Sequence, residues 1–151
     1  MIDQALLLVR THATEGEINL TFTAVKANIR LRADKRMVLQ ILLNLLSNAI
    51  KFTLPQGKVE VSCNLNSDGQ LVITVRDTGI GFEEEDIPLA LSTFGQIDGA
   101  LDRRHDGTGL GLPLVKSLSD LHDAKLNIQS KPNEGTIITV TFPASRVTLL
   151  D

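Results

Sequence analysis

Apolar residues recur along the chain at two spacings, one typical of helices and one typical of strands. Helical spacing predicts helices at 2–13, ending near Gly16, at 35–52 behind the N-cap residue Asp34, at 110–121 and, with a weaker pattern, at 84–91. Alternation of apolar and polar residues predicts six strands, at 19–25, 29–33, 58–65, 70–76, 125–130 and 136–142.

The order of these elements predicts an α+β fold. Helices alternate with strands that are mostly linked as hairpins, one of them through the turn sequence Asn66-Ser67-Asp68-Gly69. We therefore expect a two-layer α/β sandwich, in which a mixed, mostly antiparallel sheet carries about three helices on one face. No internal repeat or second core is visible, so we expect residues 1–151 to form a single domain.

The regular pattern largely fails between Gly79 and Gly107. A segment of this length without regular structure is uncommon inside a compact domain unless it works as a lid or a binding loop. We therefore predict a flexible lid at about 79–109.

Composition excludes several other classes of protein. The net charge is only −3, and the chain has five Phe but no Trp or Tyr, which disfavours a nucleic-acid-binding surface. No apolar run approaches the roughly 18 residues that cross a bilayer, so we expect no membrane contact. The single cysteine, Cys63, lies in an alternating strand and is expected to be a half-buried structural thiol rather than a reactive one. A lone thiol suits a reducing compartment, which predicts a cytoplasmic location, although a longer protein could be membrane-anchored.

The predicted helix at 35–52 carries one narrow polar stripe on an otherwise apolar surface, formed by Gln40, Asn44, Ser47, Asn48 and Lys51. Asparagine is a poor helix former, so two of them on one stripe need a reason. They could be core amides bonded to neighbouring backbone, or a solvated edge. Alternatively, their oxygens face a bound Mg²⁺, which takes one or two protein oxygens beside substrate phosphates, with Lys51 as a nearby positive charge.

Two glycine-containing segments follow. In the first, Asp77 closes a strand before Gly79 and Gly81, and its carboxylate could accept a hydrogen bond from the amine of adenine or could bond only to local backbone.

In the second segment, Gly107, Gly109 and Gly111 precede a helix whose free N–H groups favour phosphate, although a flexible helix-entry loop is the alternative. The chain has no GK[ST] sequence of a P-loop. Glu84 stands where the dinucleotide fingerprint needs its third glycine.

The ordered set NLLSNAIKF, DTGIGF, STFGQ, GTGLGL and NEGT resembles the N, G1, F, G2 and final Gly-Thr boxes of the ATP-binding catalytic domain of sensor histidine kinases. That family belongs to the wider gyrase, Hsp90, histidine kinase and MutL superfamily. The resemblance covers essentially the whole chain. It implies a Bergerat-type fold, with ATP and Mg²⁺ as ligands.

The resemblance also implies roles at the phosphate end of the site. Asn48 would be the magnesium ligand, and Asn44 would assist phosphate positioning. Lys51 would contact phosphate, and Arg103 or Arg104 could reach the γ-phosphate.

At the base end, Phe52 would pack near the purine, and Asp77 would bind the adenine amine with help from a water bridged to Thr136. Phe94 would anchor the lid. Two glycine-containing segments would complete the nucleotide site, the first made of Gly79, Ile80 and Gly81 and the second of Gly107, Thr108, Gly109, Leu110 and Gly111.

The implied activity is transfer of the γ-phosphoryl group to a histidine. Relatives that hydrolyse ATP carry a glutamate four residues before the metal-binding asparagine, and Asn44 at that position cannot be a general base, so an ATP-hydrolysing clamp is disfavoured. Positioning for in-line transfer remains. The alternative is a pseudokinase, a nucleotide-responsive module that regulates a partner without phosphotransfer.

The acceptor histidine is expected on a separate dimerisation and phosphoacceptor domain, without which this chain would not autophosphorylate. His12, His105 and His122 lack the expected helical context and are interpreted as ordinary surface or core histidines. A response regulator would be an indirect partner. Where the family often has two glycines after a Leu-His pair, this chain has Asp123 and Ala124, which puts the turn geometry there in question.

Overall fold

Helices cover one face of a five-stranded sheet, as the sequence pattern predicts. The computed structural model describes residues 1–92 and 111–151. The helices of this part are α1 (Ile2–Glu15), α2 (Lys35–Phe52), the single turn α3 (Ile87–Ala90) and α4 (Gly111–Asp120). The strands are β1 (Asn19–Thr23), β2 (Ile29–Leu31), β3 (Lys58–Leu65), β4 (Leu71–Asp77), β5 (Lys125–Lys131), β6 (Gly135–Phe142) and β7 (Val147–Leu149).

The main sheet has the strand order β1-β3-β4-β6-β5. Only the β1–β3 pair is parallel, and the other neighbours run antiparallel. The predicted α+β sandwich with a mixed, mostly antiparallel sheet is therefore confirmed. Alternate residues of β3, β4 and β6 face the helices and form the sheet side of the core, where Val59 and Phe142 are fully buried.

Helix α2 forms the centre of the second layer. The Asp34 carboxylate caps its first turn by accepting hydrogen bonds from the backbone N–H groups of Arg36 and Met37, at 2.8 and 3.0 Å. Its apolar face is buried, and each large side chain there stabilises the fold by about 1.5–3 kcal/mol. The buried residues of α2 are Val38, Ile41, Leu42, Leu45, Leu46, Ala49 and Ile50.

His122 follows the C-terminal end of α4 and connects that helix to the N-cap residue of α2. The Nε2 atom of His122 accepts a hydrogen bond from the backbone N–H of Asp34 at 3.1 Å, and its Nδ1 donates to the Leu118 carbonyl at 2.7 Å. His122 is only 4% exposed and packs edge-on against Phe142, so it is a core histidine as expected. His12 lies on the surface, and His105 lies outside the described residues.

The turn after His122 keeps the backbone shape that glycine favours. Asp123 has a φ of 54°, in the left-handed region, which aspartate tolerates better than most side chains. Its carboxylate also pairs with the Arg146 guanidinium at 2.9 Å. Aspartate at this position therefore keeps the left-handed turn and adds an ion pair to the C-terminal segment.

The sequence pattern missed one small sheet. Strand β7 pairs antiparallel with β2, and three residues are too few for alternation to be visible. The first two predicted strands are also shorter than expected, ending at Thr23 and Leu31 instead of 25 and 33. For β2 the reason is that Leu31 pairs with Val147, where β7 begins. Within residues 1–92 and 111–151, the helices are too short or too polar to be membrane-spanning segments.

Candidate nucleotide-binding site

The centre of the candidate site is Asp77, the last residue of β4. Alternation would place Asp77 just beyond the strand, but it is still paired with Thr136 of β6. One carboxylate oxygen, Oδ1, accepts a hydrogen bond from the backbone N–H of Gly79 at 2.9 Å. Burial raises the pKa of Asp77 from 3.8 to about 6, while hydrogen bonds from the backbone of Gly79 and Thr136 oppose that rise. The carboxylate is thus held partly out of water, although it remains ionised at neutral pH.

The loop at 79–82 is fixed by hydrogen bonds to three other segments. The N–H of Ile80 donates to the carbonyl of Phe52, the last residue of α2, at 3.1 Å. The Ile80 carbonyl accepts from the N–H of Asn133, in the β5–β6 turn, at 2.6 Å. The N–H of Phe82 donates to the Ser130 hydroxyl of β5 at 2.9 Å. The loop therefore joins the end of α2 to the end of the sheet.

Two glycines permit this close approach. A Cβ added at Gly79 would collide with the Phe52 carbonyl oxygen, and one added at Gly81 would collide with the Lys131 carbonyl oxygen. Gly81 also has a φ of 60°, in the left-handed region. Both glycines are thus required by contacts within the protein itself.

The polar stripe of α2 faces away from the core. Gln40 Nε2 donates to Asn44 Oδ1 at 2.8 Å, so the Asn44 amide is engaged within its own helix. Asn48 has no hydrogen bond to another described residue, and a Cβ built on Gly111 would lie 3.1 Å from its Nδ2. Asn48 therefore directs its amide toward the N-terminal end of α4.

Lys51 lies one turn further along the stripe. Its ammonium nitrogen is 5.3 Å from the centre of the Phe52 ring, a cation–π distance. The positive charge is thus positioned at the end of α2, next to the loop at 79–82.

A row of polar side chains runs across the sheet beside this loop. In the strand register Ser130 is opposite Thr136, and Thr136 is opposite Asp77. The Ser130 and Thr136 hydroxyl oxygens are 2.8 Å apart, and both side chains are buried.

These residues fit a nucleotide with its metal ion. A half-buried carboxylate can accept a hydrogen bond from an amino group on a base, and the Asp77 carboxylate is held in place by backbone N–H groups of Gly79 and Thr136. An amide with no hydrogen bond to another described residue, beside a helix N-terminus, can provide one oxygen to a hard cation whose other ligands are phosphates and water. The two groups are connected through α2, because Phe52 is one turn beyond Asn48.

Comparisons with known proteins identify the family of this chain. The family model described as histidine kinase-, DNA gyrase B- and HSP90-like ATPase matches residues 33–146, from just before α2 to just before β7. The chain belongs to this family. The family binds ATP, and within it the chain is similar to catalytic domains of sensor histidine kinases.

The cell-division control histidine kinase PdhS of Brucella canis is 38% identical over 97% of this chain. The chain spans only 15% of the length of that protein. Among solved structures, the mycobacterial sensor histidine kinase MprB has a TM-score of 0.80 and 25% identity, over 94% of this chain and 91% of that one. Full-length ShkA, solved in complex with AMPPNP, has a TM-score of 0.81 and 27% identity, over 94% of this chain and 29% of that one.

The structure brings the described candidate residues into two adjoining groups. The first surrounds the end of β4 and contains Phe52, Asp77, Gly79, Ile80, Gly81 and Thr136. The second is formed by Asn48 and Gly111, with Asn44 and Lys51 on the same stripe. The predicted lid is described only up to Ser92. Several predicted residues lie outside the described ones, namely Phe94, Arg103, Arg104, Gly107, Thr108, Gly109 and Leu110.

Sequence reasoning missed Ser130. It occupies an inward-facing position of β5, where the preceding inward positions are Leu126 and Ile128. A serine in such a place is a signal that could have identified it, because a buried hydroxyl needs hydrogen-bond partners. The partners themselves are visible only once the strand register is known.

Proposed function

We propose that this chain is the catalytic domain of a histidine kinase, which binds Mg-ATP and transfers the γ-phosphoryl group to a histidine of a separate dimerisation and phosphoacceptor domain. The observation that carries the proposal is the half-buried Asp77 carboxylate at the sheet end, joined through the loop at 79–82 to the helix that presents Asn48. The proposal treats residues 1–151 as one domain that works in the cytoplasm, with a response regulator as the eventual recipient of the phosphoryl group.

In this proposal the ionised carboxylate of Asp77 accepts a hydrogen bond from the adenine amine, with Thr136 as its neighbour. Phe52 supplies an apolar surface beside the base, and its ring also makes a cation–π contact with the Lys51 ammonium. Gly79, Ile80 and Gly81 form the rigid wall of the base site, because their backbone is hydrogen-bonded to α2 and to the β5–β6 turn.

At the other end, Asn48 would bind Mg²⁺, which when present neutralises charge on the phosphates and orients them. Lys51 and Asn44 would position the phosphates, together with the N-terminal end of α4 that begins at Gly111. Phe94, Arg103, Arg104 and the segment 107–110 are proposed to cover the triphosphate.

The chemistry is in-line displacement. A histidine nitrogen of the acceptor domain forms a bond to the γ-phosphorus, the bond from that phosphorus to the bridging oxygen breaks, and ADP leaves. The Asn44 amide cannot remove a proton from water. Transfer to an external nucleophile is therefore favoured over hydrolysis.

Two measurements test this proposal. Calorimetry should show ATP binding that is stronger with Mg²⁺ than with a chelator. Incubation with labelled ATP and a separately supplied dimerisation domain of a related kinase should then place phosphate on its histidine. Magnesium-dependent binding without phosphotransfer to any such domain would indicate a pseudokinase instead. Absence of ATP binding by folded protein would refute the kinase function and leave only a module that works without nucleotide.

A further inference from the structure

We propose that Ser130 is a positioning residue for purine selection, because its hydroxyl holds the Thr136 hydroxyl as a hydrogen-bond acceptor toward the base site. This inference rests on the proposed function, in which Asp77 and Thr136 face the purine. Ser130 lies on β5, and β6 separates this strand from β4, which carries Asp77.

The hydrogen bonds around Ser130 determine which way its proton points. Its Oγ accepts from the N–H of Phe82 at 2.9 Å, lies 3.2 Å from the Gly135 carbonyl oxygen and lies 2.8 Å from the Thr136 Oγ1. A serine hydroxyl has one proton to donate and two lone pairs to accept with. The Phe82 amide can only donate, and the Gly135 carbonyl can only accept.

One arrangement satisfies all three contacts at once. Ser130 donates to the Gly135 carbonyl, while it accepts from Phe82 and from the Thr136 hydroxyl. If Ser130 instead donated to Thr136, its contact with the Gly135 carbonyl would be lost. Because both side chains are at most 9% exposed, an unmade hydrogen bond there is costly, and the fully satisfied arrangement is favoured.

In this arrangement the hydroxyl proton of Thr136 is used in the hydrogen bond to Ser130. Thr136 can therefore only accept a hydrogen bond from a further partner. The neighbouring Asp77, when ionised, also offers only acceptors. The end of the sheet therefore presents an acceptor-only surface. Such a surface matches a purine with an amino group at position 6, directly or through a water, and disfavours a purine with an oxygen there.

Removing the Ser130 hydroxyl would release the proton of Thr136. In Ser130→Ala, the Thr136 hydroxyl could rotate and donate, so a 6-oxo purine would gain a partner. We expect the preference for ATP over inosine triphosphate, measured as the ratio of the two dissociation constants, to fall by a factor of about 3 to 10, the range that one hydrogen bond provides.

The ratio separates positioning from a merely structural role. Loosening the loop at Phe82 would weaken both nucleotides together and leave the ratio unchanged. Ser130→Thr keeps the hydroxyl and should retain the wild-type ratio. In a Thr136→Val background, Ser130→Ala should have no further effect on the ratio, because the hydroxyl through which it acts is absent.

The experiment is calorimetric titration of the folded chain and these variants with ATP and inosine triphosphate, both with Mg²⁺. If the wild type binds neither nucleotide, the proposed function fails and this inference fails with it. Two results would overturn this inference while the proposed function stands. In the first, the wild type prefers ATP and Ser130→Ala keeps that preference. In the second, Ser130→Ala lowers the preference by the same factor whether residue 136 is threonine or valine. Should Ser130→Ala not fold, Ser130→Cys replaces it, because cysteine keeps the volume with a much weaker hydrogen-bonding group and should also lower the ratio. Independently, Thr136→Val alone must lower the ratio.

Discussion

Replacing Asp77 by asparagine should stabilise the ligand-free protein while it weakens ATP binding. The carboxylate is held in a partly buried place that suits the adenine amine, and burial there raises its pKa to about 6. In the unfolded chain an aspartate titrates near its ordinary value of about 3.9. The folded state therefore binds the proton more tightly than the unfolded chain does.

The sign of the effect follows from linkage. Below pH 4 both states are protonated at Asp77, so the favourable contribution of the raised pKa is fully present there. As the pH rises from about 4 to about 6, the unfolded chain loses this proton first, and the free energy of unfolding falls until the folded state is ionised too. Raising the pKa of Asp77 from 3.8 to about 6 corresponds to about 3 kcal/mol, and since Asp77 is only partly shielded from water we expect about 2 to 3 kcal/mol.

Asparagine cannot ionise, so the free energy of unfolding of the Asp77→Asn variant should not show this fall between pH 4 and pH 6. Urea unfolding of both proteins at several pH values between 4 and 8 would measure it, because the other titrating groups are shared and cancel in the difference. We expect nearly equal stabilities at pH 4 and a more stable variant at pH 8. ATP affinity at pH 8 should fall by about 10- to 100-fold, since a hydrogen bond to a charged acceptor is lost.

Parallel stability profiles from pH 4 to 8 would refute the assigned burial of the Asp77 charge. Unchanged ATP affinity in a folded Asp77→Asn variant would refute its role toward the purine. The two results are independent, so either half of the reasoning can fail alone.

Substitutions at three further positions test other parts of the structure. Asn48→Ala should leave the thermal unfolding temperature nearly unchanged but reduce the difference in ATP affinity with and without Mg²⁺, and calorimetry showing an undiminished difference would contradict the metal assignment. Gly81→Ala should destabilise the fold by at least about 2 kcal/mol in urea unfolding, because its Cβ would meet the Lys131 carbonyl at a positive φ; a smaller loss would mean that the loop can shift. Asp123→Gly should be close to neutral, since relief of the left-handed backbone offsets loss of an ion pair with Arg146 that is exposed on the Asp123 side and worth about 0.5 kcal/mol. Asp123→Ala should destabilise, and equal stabilities of the glycine and alanine variants would contradict this reasoning.

Local pattern was sufficient for the long elements. The apolar face of α2, its Asp34 cap and its polar stripe were all visible in the sequence, because helical spacing and capping depend on residues at most a few positions apart. The β3–β4 hairpin was equally visible, since the turn residues and the alternation on either side are contiguous. Motif order identified the family, and the solved relatives confirm the fold.

Contacts between distant segments could not be read in the same way. The pairing of β2 with β7, the ion pair between Asp123 and Arg146, and the His122 contact to the cap of α2 join residues far apart in the chain. None of these contacts leaves a periodic trace, because each depends on register and on the path of the chain between its two partners.

The sequence by itself determined which residues have the right chemistry, namely an aspartate at a strand end, asparagines on a helix and glycines where loops begin. Only the tertiary structure decided how they are held. It showed that Gly79 and Gly81 make room for carbonyl oxygens of the protein, that burial raises the pKa of Asp77, and that Ser130 is hydrogen-bonded to Thr136. The physical reason is that residue type is a local property, whereas burial, close approach and the direction of a hydroxyl proton depend on which strands and helices become neighbours.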